Sequence, residues 1–296
     1  MTGPVSKDAL PVAGGALHRV WHDTEGRLGL IALLVLAIVA IAGPLLLPDP
    51  TFIPTDLVGA ALQPPSAAHP FGTDRLGRDV LARVVSGARI SLSVAAIAVA
   101  LSMTLGAVVG AAAGLLGGWV DSILMRLVDA ALAIPRIFVV LLLIAVWDRI
   151  PLPALIGVLG ATGWFAASRL VRAEVLKMRT QDFVHAARAL GGGRTRIIFR
   201  HLLPNTTGPV LVAAALAVGD VILVEAGLSF LGAGIRPPTP SWGAMIFDAK
   251  PTIFTAPWTG IFPGFALMIT VIAVNLVAES LSDALAGRRA EPAPVP

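Results

Sequence analysis

Apolar runs of bilayer length alternate with polar breaks of very different lengths along this chain, and each run is long enough to be a membrane helix. Residues 28–47 form the first run. At 1.5 Å per residue such a run covers about 30 Å as helix. Ala40-Ile41-Ala42 mimics a signal-peptidase site, but the run exceeds a usual signal-peptide core, so an uncleaved span is predicted. Further spans are predicted at 89–116, 123–147, 152–171, 206–224 and 258–278, with Pro135 kinking the third. Gly106, Gly110 and Gly114, spaced by four, predict close helix–helix approach along the second. Gly117-Gly118-Trp119 reads as a tight turn, as does 148–151. Residues 48–88 form a proline-punctuated polar excursion whose later part turns helical, and Arg75, Arg78 and Asp79 are placed for a local charge network. Residues 225–246 hold too many Gly and Pro for a straight helix and read as a loop or re-entrant segment. The expected fold is an all-α polytopic membrane protein with six transmembrane helices.

The longest polar break in the second half is 180–205, TQDFVHAARALGGGRTRIIFRHLLPN. It places Phe183, Ala186, Ala187 and Leu190 at i, i+3, i+4 and i+7, one stripe of a short helix. Gly191, Gly192 and Gly193 stop that helix. A second short helix follows, with Ile197, Ile198 and Leu202 on one side, and Pro204 suits the first turn of the next element. Helix, glycine break, helix predicts a shaped protrusion.

Two readings compete for this protrusion. One is a basic amphipathic segment on the membrane surface, since Arg169, Arg172, Lys177, Arg179, Arg188, Arg194, Arg196 and Arg200 outweigh Glu174 and Asp182. The other is a docking element for a second protein. Two alanine methyls anchor poorly in lipid, at about 1–2 kcal/mol together, but small side chains let a helix backbone sit deep in a protein groove.

Composition narrows the class. Of 296 residues 56% are hydrophobic and only 14% charged, with mean hydropathy +0.84, against about 25% charged in a soluble domain. The chain has no cysteine, so disulfides are excluded. The net charge of +4 belongs to membrane-flanking loops, and no aromatic-interleaved basic run of the nucleic-acid-binding kind occurs. Lysines and arginines are twice as frequent in the segments that lie inside when the amino terminus is cytoplasmic. Both termini and loop 180–205 are therefore expected in the cytoplasm.

Catalytic motifs are missing. No G-x-x-x-x-G-K-[ST] phosphate cradle exists, because Gly191 to Gly193 lack the upstream frame, and there is no H-E-x-x-H or G-x-S-x-G. His18 and His22 sit at i, i+4 without a third metal ligand. Asp129, Asp220, Glu225 and Glu279 are ionisable groups at membrane depth and functional candidates, although all lie near predicted span ends, where snorkelling or capping suffices. Asp121 and Arg126 also lie near the entrance of the third span, and Arg126 and Asp129 are spaced to pair. Two function classes remain at this point: a permease subunit energised by a partner ATPase, and a self-contained membrane protein. The latter would be an ion-coupled carrier or an intramembrane enzyme using Asp220 or Glu225. A carrier usually shows inverted repeats with broken helices in both halves, and loop 180–205 has no counterpart in the first half.

The loop also carries a resemblance. Ala186-Ala187, then Gly191, then Leu203-Pro204 resembles the EAA loop of ABC-importer permeases, with His185 where that family usually has glutamate. ARALGGGRTRIIFRHLLPN, HPFGTDRLGRDVLARVVSGARISL (69–92) and EAGLSFLGAGIRPPTPSWGAMI (225–246) resemble its dipeptide/oligopeptide/nickel branch. The resemblance implies a cytoplasmic tail (1–27) and a first span with an extracytoplasmic segment (28–88). It further implies a five-span permease core (89–283) with coupling loop 180–205, and a cytoplasmic tail (284–296). It implies that Phe183, His185, Ala186, Ala187, Leu190, Gly191, Leu203 and Pro204 couple the chain to an ATPase. It also implies a second related permease, two ATP-binding subunits that use ATP and Mg, and an extracytoplasmic substrate-binding protein. The chain itself would bind no cofactor, and its home would be the bacterial cytoplasmic membrane. Peptides are the implied cargo, nickel or a metal chelate the alternative, and the resemblance assigns no substrate-binding residue.

Overall fold

A computed structural model describes residues 12–147, 150–191 and 193–286; the outer parts of both tails, Asp148, Arg149 and Gly192 lie outside the described residues. Among the described residues the chain is helical, with a single isolated bridge between Thr73 and Asp79. Asp23 separates α1 (Val12–His22) from α2 (Thr24–Leu46) and caps the latter, its carboxylate accepting from the Gly26 N–H at 3.1 Å. After α3 (Leu57–Ala60) comes α4 (Val80–Leu116), capped by Asp79, which accepts from the Ala82 N–H at 2.8 Å. This helix starts well before the predicted residue 89, because Val80 and Val84 are buried against Met245.

The third span differs most from expectation. Rather than a kinked helix, α5 (Gly118–Leu132) and α6 (Arg136–Ile144) meet at an 86° bend. Pro135 has no N–H and pushes the preceding residue out of the helical region, so the chain turns through Ala133 and Ile134 instead of bending gently. Next come α7 (Leu152–Met178), α8 (Asp182–Ala189) and α9 (Arg194–Ile197), then a π-helical turn, Ile198–Leu202. The described residues end with α10 (Leu203–Phe230), α11 (Trp242–Ala249), a 3-10 turn (Lys250–Thr252) and α12 (Trp258–Ala286). Among the described residues five helices are long and apolar enough to cross a bilayer, and the bent α5–α6 pair makes up to six.

The tightest seam joins α4 to α7. A Cβ added at Gly106, Gly110 or Gly114 would stand 2.5 Å from Ala167 Cβ, 2.4 Å from Ser168 O and 2.8 Å from Val175 Cγ1. The seam is reciprocal, since Gly160 and Gly163 on α7 receive Leu101 and Ser102, and the Ser102 hydroxyl donates to Gly160 O at 2.8 Å. The predicted close approach is thus made, and its partner is α7.

The charge network on the α4 side is not the one expected. Asp74 accepts from Arg78 Nε at 2.7 Å, buried Arg83 lies between Asp74 and Asp248, and Asp79 instead pairs with His69 at 2.8 Å. Asp129 pairs with Arg169 on α7 rather than with Arg126. Glu225, expected near a span end, is buried inside α10, which runs on to Phe230. Its carboxyl accepts from Ser229 (2.8 Å), Ser241 (3.0 Å) and Ser91 (3.4 Å). Those hydroxyls in turn accept from the backbone N–H groups of Ile235, Ala244 and Trp242, so Glu225 ties the 231–241 return to the helices.

Gly110→Val is expected to destabilise the protein by about 1–3 kcal/mol through overpacking, or to block folding outright. Gly157→Ala, at a site with open space around the new Cβ, should be neutral or slightly stabilising. Thermal unfolding in detergent, read at matched expression, checks both.

Candidate docking site and membrane cavity

Loop 180–205 is a seated element. Val184, Val175, Met178, Ile197 and Leu202 form a buried cluster, with Ala187, Ile198, Leu203 and Val210 packed around it. The buried members come from α7, α8, α9 and the π-helical turn, with Ala111 of α4, and α10 adds Leu203 and Val210 at the edge, so all of these elements share one apolar knot. The base of the loop is clamped as well: Arg172 Nη2 donates to Asp121 at 2.7 Å and Arg179 to Gly114 O at 3.2 Å. Arg169, Arg172 and Arg179, counted as basic surface in the lipid-facing reading, are thus engaged by the protein itself.

The residues of the predicted stripe part company. Val184, which the stripe omitted, is fully buried, and Ala187 is half-buried beside it. Ala186 and His185 are exposed, Phe183 is 37% exposed and Leu190 89%. The stripe therefore lies along the edge of the seated face, because Val184 with Ala187 at i+3 makes the better anchor for the knot. Gly191 has φ +78°, which glycine adopts without penalty, and open space where a Cβ would stand. Leu203 belongs to the knot rather than to the outer surface, and Pro204 is exposed at the start of α10. What remains outward is a mixed edge, the small Ala186 and Gly191 beside the apolar Phe183 and Leu190 and the polar His185, carried on the packed knot.

A second feature lies in the membrane part. A cavity of about 420 Å³ opens between α4, α5–α6, α7 and α10. Its walls are mostly small or apolar, including Ala131, Ala166, Ala213 and Ala217, and its charged groups are Arg136 and Asp220. These two form an ion pair at the bend of the third span. Arg136 also donates from Nη2 to Leu159 O at 2.7 Å and from Nε to Thr162 Oγ1 at 3.4 Å. No sequence pattern singles out Arg136, because its partner Asp220 lies 84 positions away and only the fold brings it alongside. Asp220 is 58% exposed. A charge so open at membrane depth cannot face lipid, so this face of α10 looks onto water or onto protein.

The family described as the binding-protein-dependent transport system inner membrane component matches residues 106–291. A putative peptide permease protein of Brucella suis is 39% identical over 291 residues, 96% of this chain and 91% of that relative. The dipeptide transport system permease protein DppC of Bacillus subtilis is 39% identical over 282 residues, 95% of this chain and 87% of the relative. The oligopeptide transport system permease protein OppC of the same organism is 36% identical over 281 residues, 95% and 91% of the two chains.

The cysteine-free chain allows a direct check of how α8 is seated. In a Leu190→Cys variant a maleimide should react readily, whereas Val184→Cys should react at least about tenfold more slowly, limited by local opening. Equal rates would mean that the knot does not hold α8.

Proposed function

Because the chain belongs to the family of binding-protein-dependent transport system inner membrane components, we propose that it is a permease subunit of an ATP-driven peptide importer, driven through loop 180–205. The observation that carries this reading is the outward face of α8 on its clamped base. A self-contained carrier has no use for a mixed edge presented in this way on its polar side. The relatives named as dipeptide and oligopeptide permeases support the cargo.

In this assembly the chain pairs with a second, related permease, and the two enclose the path. Two ATP-hydrolysing subunits grip the two loops, using ATP and Mg that this chain does not bind, and an extracytoplasmic binding protein delivers the peptide. The chain sits in the cytoplasmic membrane with both termini and the loop inside, following its lysines and arginines. Phe183, His185, Ala186, Ala187, Leu190 and Gly191 make or shape the contact, while Leu203 and Pro204 join it to α10. When ATP closes the motor pair, the loops are drawn together. The displacement passes through Val184 into the knot and so reaches α7 and α10 together. The π-helical turn Ile198–Leu202, a geometry common at functional joints, links the loop to α10, with the Leu203 N–H bonded to Ile198 O. A rigid-body switch between inward- and outward-open paths follows from such a pull.

Ala186→Glu places a carboxylate on the docking edge without touching the knot. It should leave insertion and melting temperature unchanged while reducing ATPase co-purification and peptide uptake at least about tenfold, the cost of an unpaired charge in a closed interface. Gly191→Val, strained at its positive φ, should act in the same direction. Full coupling in both variants, measured in proteoliposomes with all subunits present, would reject the docking role.

A further inference from the structure

The pair in the membrane cavity has features that a structural staple does not need. A staple is sealed; this one opens onto a cavity large enough for a small ligand. It is also asymmetric. Arg136 keeps two further acceptors, Leu159 O and Thr162 Oγ1, so it stays in place if Asp220 leaves. Asp220 has Arg136 as its only polar partner among the described residues. The pair is thus built to open at the Asp220 end while its cation holds still.

The walls narrow the ligand. Around one guanidinium and one carboxylate the lining is small and apolar, and so tolerates side chains of many sizes. A bare divalent cation would find one carboxylate and a repelling guanidinium, and a simple anion would meet Asp220. A molecule that carries both charges satisfies both groups. We propose that Arg136 and Asp220 form a subsite for the charged ends of a peptide in transit, Arg136 taking its carboxylate and Asp220 its ammonium group. The subsite rests on the peptide-permease reading above. It reads the part that peptides share and ignores the side chains in which they differ. When no peptide is present the two residues satisfy each other, which removes the cost of unpaired charge at membrane depth.

The test uses the complete transporter in proteoliposomes, with binding protein loaded to saturation with trialanine, N-acetyl-trialanine or trialanine amide, so that kcat reports the membrane step. The intact protein should move free trialanine about tenfold faster than either blocked form, the weight of one charged hydrogen-bonded contact. Asp220→Asn should abolish the preference for a free amino group and keep that for a free carboxylate; Arg136→Met should do the reverse. If both variants slow all three peptides equally, or if the intact protein does not discriminate, the pair is only a latch and the proposal falls. Should the variants fail to assemble, a single cysteine at Ala217, in the cavity wall beside an intact pair, decides the matter. Its maleimide modification should be slowed by free trialanine and not by a doubly blocked peptide, and absence of protection overturns the subsite. Failure of the intact complex to take up any of the peptides is a different result: it brings down the peptide reading, and the subsite with it.

Discussion

Backbone-to-backbone contact between α4 and α7 is the constraint on which the remaining geometry depends. Gly106, Gly110 and Gly114 on one side and Gly160 and Gly163 on the other leave less room than a methyl group needs. In a bilayer the hydrophobic effect does not drive helices together, so association relies on such close packing and on interhelical hydrogen bonds. The seam places α7, and α7 then serves two ends of the molecule. Toward Met178 it supplies Val175 and Met178 to the knot that seats α8. Nearer its start it supplies Leu159 O and Thr162 to hold Arg136.

Polar groups in the apolar region fall into two kinds. Glu225 is sealed among three serine hydroxyls and makes a corner, fastening the 231–241 return to α4 and α10. Arg136 and Asp220 are open to a cavity and join the broken third span to α10. Burial separates the two kinds: a closed, satisfied network fixes one arrangement, whereas an exposed pair can exchange partners. The helix that carries Asp220 also begins at loop 180–205, so one continuous helix runs from the knot to the cavity.

Much was legible from sequence. Spans, polar breaks and the helix–glycine–helix form of loop 180–205 follow from local hydropathy and local backbone preference. The α4 glycines announced close packing. In loop 180–205 the short helix and its stop at Gly191 were readable, but the seated side of α8 was not. Val184 anchors the helix because Val175, Ile197 and Leu202 arrive from other elements to meet it, and nothing within residues 182–189 encodes that arrival.

The sequence alone determined that this is a multi-span helical membrane protein with one shaped loop, because bilayer length, amphipathic period and glycine stops are properties of neighbouring residues. Tertiary structure decided the rest. It turned a kink at Pro135 into an 86° break, joined Asp129 to Arg169 rather than to Arg126, and brought Arg136 to Asp220. A charge in an apolar medium takes whichever counter-charge the packed helices deliver, and that delivery depends on contacts between residues far apart in the chain.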